Sequence, residues 1–106
     1  MLFVINGIEW NIIFVMPDSD YLVRSDGSTT VGMTDRITHT IYISNNLYNQ
    51  FLKKVVSHEI VHASMCSYNV ELSIEQEEII ADLIATYGEE IINTANKIFE
   101  RLRLVA

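Results

Sequence analysis

Near Ser44 the hydrophobic period of this chain changes from two residues to between three and four, and this switch constrains the fold more than any other feature. Upstream, Phe3, Val4 and Ile5 run into Asn6-Gly7, and Ile8, Trp10, Ile12 and Phe14 follow at alternate positions. That is the pattern of a hairpin closed by a two-residue type I′ turn, with those four residues on one buried face. Pro17 to Asp20 breaks the run, and Ser25-Asp26-Gly27-Ser28 supplies a second turn. From Arg36 to Ser44, alternation predicts a half-buried strand, with Ile37, His39, Ile41 and Ile43 on one face and Thr38, Thr40 and Tyr42 on the other.

Downstream the pattern is helical. Ser44, Asn45 or Asn46 can cap a first helix, in which Leu47, Phe51, Val55, His58 and His62 recur at three- and four-residue steps up to about Asn69. Ser73 and Gln76 form a capping box, so a second helix starts at Ser73. Its apolar stripe runs through Ile80, Leu83 or Ile84, Tyr87, Ile91, Ala95, Ile98 and Leu102, with Gly88 as the expected bend. Strands first and helices afterwards predict an α+β fold in one domain over residues 1–106: a small antiparallel or mixed sheet of three to four strands, then two long helices.

Charge and cysteine usage remove several functional classes. Fourteen acidic against seven basic residues give a net charge of −7. The longest basic run is Lys53-Lys54, which is no footprint for a phosphate backbone, so nucleic acid is not an expected partner. The lone Cys66 cannot form an internal disulfide and reads as a buried, reduced thiol. Met1 to Pro17 is apolar, but it has no basic start and is interrupted by Asn6, Gly7, Glu9 and Asn11. The expectation is a cytoplasmic chain with no signal segment and no membrane span.

The first helix contains His58-Glu59-Ile60-Val61-His62. Histidines four apart on a helix project from adjacent turns of one face, so both imidazoles can reach one divalent ion at about 2.0–2.1 Å. Glu59, rotated by about 100° from His58, is placed to accept a proton from a metal-bound water without ligating the ion. A zinc site of this kind needs a third protein ligand. Cys66 follows His62 by four residues but lies about 12 Å along the axis from His58, too far to share its ion. In the second helix, Glu78 and Asp82 stand on successive turns, and Ile79, Ile80, Leu83 and Ile84 around them place that face near the core. Glu78 could complete a His-His-Glu set, and Asp82 could take the N–H from the far ring nitrogen of a ligating histidine.

His58-Glu59-x-x-His62 followed sixteen residues later by Glu78-x-x-x-Asp82 resembles the signature of gluzincin metallopeptidases. In particular the chain is similar to small zincin-like proteins of phages and mobile elements, related to the ImmA/IrrE group. The resemblance covers residues about 29 to 90, including Gly32-Met33-Thr34-Asp35, Ile41-Tyr42-Ile43 and Asp82 to Gly88. It implies a minimal zincin-like domain with one Zn2+ on His58, His62 and Glu78, Glu59 as the catalytic base, and Asp82 as acceptor for a ligand histidine. The implied substrate is a peptide or protein, bound in extended form along the strand Arg36 to Ser44 or the one near Val31 to Thr34. For a group that would stabilise the oxyanion, His39, Tyr42, Tyr68 and Tyr87 are the available side chains; Tyr87 lies about half a turn from the metal face, and the choice stays open between Tyr68, His39 and none of them. The alternative is an inactive zincin-like metal-binding module that recognises a protein partner.

Overall fold

A computed structural model of the protein describes residues 1–105. Strands β1 (Leu2–Ile5) and β2 (Ile8–Val15) form an antiparallel hairpin in which Ile5 faces Ile8 and Phe3 faces Trp10. Asn6 and Gly7 between them have φ of 50° and 76°, which the type I′ turn demands and which Asn and Gly tolerate best. A short 3₁₀ turn at Asp20–Leu22 precedes β3 (Gly32–Asp35) and β4 (Thr40–Ser44). The sheet order is β1-β2-β4-β3; β4 runs parallel to β2 and antiparallel to β3. Helices α1 (Asn49–Ser67) and α2 (Ile74–Val105) complete the α+β architecture: a four-stranded mixed sheet followed by two helices.

The core lies between the sheet and α1. Trp10, Ile12, Ile41 and Ile43 pack with Val55 and Ala63, and the half-buried Cys66 joins them at the margin. The indole N–H of Trp10 donates to Ser67 Oγ at 2.8 Å, and the Asn6 side-chain amide donates to the Ser67 carbonyl at 2.9 Å. The hairpin is thereby tied to the last turn of α1, and neither buried polar atom is left without a partner. On the opposite face of β4, the Tyr42 ring stacks on Tyr21 of the 3₁₀ turn at 4.2 Å.

Several sequence expectations are corrected. Residues 36–39 are a turn, and the strand expected from Arg36 begins only at Thr40. The Asp35 carboxylate accepts the N–H groups of Ile37 and Thr38, and His39 adopts φ 52°, so the chain reverses where alternation suggested extension. Ile37 is 93% exposed. Phe14 is also exposed, whereas Trp10 and Ile12 of the same face are buried. Helix α1 begins beyond the expected caps, after Tyr48, which makes no side-chain cap. Ser44 belongs to β4, its hydroxyl pairs with Asn46, and Asn45 donates its N–H to Val15, extending the β2–β4 pairing. The capping box forms: Ser73 N donates to Gln76 Oε1 and Gln76 N to Ser73 Oγ, both at 3.2 Å. Beyond it α2 runs through Gly88 without interruption for 32 residues, about 48 Å at ~1.5 Å per residue. No helix among the described residues is long and apolar enough to cross a membrane.

Candidate metal centre

Helix α1 packs its buried face on the sheet and turns its next face toward α2, so the stripe that carries Val55 also carries His58 and His62. Helix α2 crosses it antiparallel: Lys53 meets Glu89, His58 meets Asp82, and His62 meets Glu78. This register brings Glu78 to both histidines. Its Oε1 lies 2.7 Å from His62 Nε2, its Oε2 lies 3.2 Å from His58 Nε2, and the two Nε2 atoms are 3.2 Å apart. One ligand atom from each of His58, His62 and Glu78 falls within 4.8 Å of the others, so the group could hold a metal ion.

The chemistry of the donors supports that fit. His58 Nδ1 is 3.0 Å from Asp82 Oδ1, and His62 Nδ1 is 3.1 Å from Glu77 Oε2. Carboxylates at both Nδ1 atoms put the ring protons there and turn both Nε2 lone pairs toward the Glu78 carboxylate. A cluster of acceptors with no donor between them is repulsive unless a cation or a proton sits in the middle. The separation of the nitrogens is close to the ~3.3 Å edge of a tetrahedron with ~2.0–2.1 Å bonds.

Glu59 sits beside this cluster, with Oε2 at 3.9 Å from His58 Nε2. Thr34 of β3 donates its hydroxyl to Glu59 Oε1 at 2.9 Å, and also approaches the Glu59 carbonyl at 3.2 Å. Burial pushes the Glu59 carboxyl above its ordinary range, opposed by the Thr34 hydroxyl and then by the two imidazoles. Space for this side chain exists because residue 32 is glycine: a Cβ there would lie 2.9 Å from Val55 Cγ1 and 3.0 Å from Glu59 Cγ.

The structure also adds residues that the sequence reading passed over. Glu77, not Glu78 or Asp82, is the buried carboxylate of α2; Glu78 is half-exposed and Asp82 exposed. Ile79, Leu83 and Ile84 are exposed, so the Glu78/Asp82 face is not the core face that the apolar neighbours suggested. Glu77 bridges His62 Nδ1 and the guanidinium of Arg36 from the β3–β4 turn. The available signal was that two histidines sharing one ion would each need an acceptor at Nδ1, for which Glu75 and Glu77 were the further acids of the first turn of α2.

The centre opens into a cleft of about 470 Å³ walled by β3 and the turn after it, with Arg24 and Arg36 as its cationic side chains. Strand β3 is an edge of the sheet, whereas β4 is paired on both sides, so of the two strands considered for an extended peptide only the earlier one has a free edge. His39 packs its ring 4.9 Å from that of Trp10, Tyr42 is buried under Tyr21, and Tyr68 lines a different groove. Among the described residues, no tyrosine and no histidine other than His58 and His62 lines the cleft. No protein-family model, curated protein or solved structure matches the chain.

Proposed function

We propose that the chain is a zinc-dependent peptidase of the gluzincin type, with His58, His62 and Glu78 holding the ion and Glu59 acting as general base. The observation that carries this reading is the convergence of two Nε2 atoms and a carboxylate beside a buried glutamate, facing a cleft with a free strand edge. When bound, zinc supplies Lewis-acid polarisation of a peptide carbonyl and brings the pKa of water to about 7. Glu59 takes the proton from the attacking water and returns it to the leaving amine. Thr34 holds Oε1, which leaves Oε2 on the histidine side free for that transfer. Asp82 and Glu77 keep the imidazoles in the tautomer that offers Nε2, and Arg36 holds Glu77 in place. An extended substrate would add to the outer edge of β3 by main-chain hydrogen bonds.

Glu59→Gln tests the assignment on purified, zinc-loaded protein. The variant should keep about one equivalent of zinc and lose roughly 10²–10⁴-fold in hydrolysis of a denatured protein substrate. Hydrolysis equal to the parent's would refute the base assignment, and zinc below about a tenth of an equivalent in the parent would remove the centre.

One observation favours a second reading, a non-catalytic zincin-like module that recognises a protein partner. The cleft is lined by no tyrosine and no further histidine of the kind that larger gluzincins use to stabilise the oxyanion. Stoichiometric zinc with no hydrolysis by the parent across a proteome-derived peptide library would select this reading.

A further inference from the structure

The distal half of α2 presents a second feature, independent of the metal centre. Along the whole helix, Glu77, Ala81, Ile84, Gly88, Ile91, Ala95, Ile98, Leu102 and Val105 follow alternating steps of four and three residues, the spacing of a helix-packing seam. Helix α1 covers only the first part. From the pairs Lys53 with Glu89 and His58 with Asp82, the first residue of α1, Asn49, lies opposite about residue 92 of α2. From Glu89 to Val105 every residue of the helix is exposed, so the end of α1 leaves the seam open from Ile91 onward. Ile91, Ile98, Leu102 and Val105, flanked by Ile92 and Phe99, are 51–83% exposed. A helix segment of fifteen or so residues with no tertiary support is marginal in water, and a continuous apolar stripe of this size marks an interaction surface.

We propose that this face is a homodimer interface in which the distal halves of two α2 helices pair antiparallel. Charge selects both the occupant and its direction. Residues 74–90 of α2 carry six acids and no base, whereas residues 91–105 carry Lys97, Arg101 and Arg103 against Glu100 alone. A parallel pair would set each block against its own copy. An antiparallel pair sets the basic end of one helix against the acidic middle of the other.

Spacing then fixes the register. Matching the seam in layers puts Ile91 against Leu102 of the second copy, Ala95 against its Ile98 and Gly88 against its Val105, so each small residue receives a large one. The same register puts Ile92 beside Phe99 of the second copy on one flank. Arg103 falls level with Glu89 of the second copy on that flank, and Arg101 with its Glu90 on the other. With roughly 100–140 Å² of open surface on each of six large side chains, a copy offers on the order of 700 Å², near the ~800 Å² per partner of a standard interface.

Sedimentation equilibrium of the full chain at micromolar concentration tests the proposal, and a dimer is expected. Ile98→Asp, on a surface outside the core, should give a monomer with the same near-UV spectrum and the same zinc content. Glu90→Arg and Arg101→Glu should each weaken the dimer about tenfold, and the double variant should recover it, because the reversed charges meet again across the antiparallel pair. A parent that stays monomeric at 100-fold higher concentration, or that forms only higher oligomers, overturns the proposal and leaves the face to a different protein or to a lipid surface. Failure of the double variant to recover the dimer overturns the antiparallel direction.

Discussion

Gly32→Ala reports on whether β3 and α1 must approach as closely as the site requires. The added methyl would stand 2.9 Å from Val55 Cγ1, 3.0 Å from Glu59 Cγ and 3.2 Å from Glu59 Cδ. Carbon atoms rest at about 3.5–4.0 Å, so β3 or the two side chains must yield by half an ångström or more. Val55 is buried in the core and Glu59 is held by Thr34, which leaves neither a free direction. Overpacking of this kind costs about 1–3 kcal/mol, which for a domain of this size lowers Tm by roughly 5–15 °C. A carboxylate moved by a fraction of an ångström from its working position would lower kcat by roughly 10–100-fold. Thermal melts and hydrolysis rates would be measured for Gly32→Ala, Val55→Ala and the pair. Removing the Val55 methyls makes room for one of the clashes, so the double variant should be more stable than the sum of the single effects by about 0.5–3 kcal/mol. Hydrolysis should not recover with it, because the contacts to Glu59 remain. Additive stabilities, or a Gly32→Ala protein with unchanged Tm, would refute the close-approach argument.

Glu77→Gln keeps the shape of the buried side chain but removes the carboxylate that His62 Nδ1 and Arg36 share; zinc affinity by chelator competition should fall about 10–100-fold, with the fold intact by circular dichroism. Asp35 tests the β3–β4 turn through pH. The N–H groups of Thr38 and Ile37 hold its carboxyl below the ordinary 3.8, so the charged form is favoured in the folded state. Its stabilisation is present above pH 3.8 and lost as pH falls through the lowered folded value, so the urea midpoints of parent and Asp35→Ala should differ at pH 6 and converge toward pH 2. A gap that persists at pH 2 would show that the turn does not depend on the ionised carboxylate.

The sequence was most informative where local chemistry alone decides the backbone. Asn6-Gly7 and the Ser73/Gln76 box each specify their geometry within four residues, and both form as expected. The two histidines share a helix face for the same reason. Where an outcome depends on tertiary context, the pattern misled. Ile37 and His39 continue the alternation of Ile41 and Ile43, yet Asp35 captures two backbone N–H groups and turns the chain before alternation can matter. Glu77 sits between Gln76 and Glu78 in a run of polar residues, and only the crossing of α2 over α1 makes it the buried one. The apolar stripe of α2 was legible, but how far α1 would cover it was not, because that depends on where α1 begins in space.

The attachment of α2 to the rest of the molecule relies more on charged contacts than that of the sheet or α1. Only Glu77 and Ala81 of its 32 residues are buried, and the bonds that hold it run through Arg36, His58, His62 and Lys53. The sheet and α1 cohere mainly through apolar packing, whereas the docking of α2 combines the burial of Ala81 with ion pairs and histidine–carboxylate contacts. With only Glu77 and Ala81 buried, α2 is expected to open at lower free energy than the sheet and α1, which hydrogen exchange would show as faster exchange of its amides. A divalent ion held between His58 and His62 of α1 and Glu78 of α2 would bind only the docked arrangement and so raise the free energy of opening α2. Cation availability would then set how long α2 stays docked, and with it how long the cleft persists.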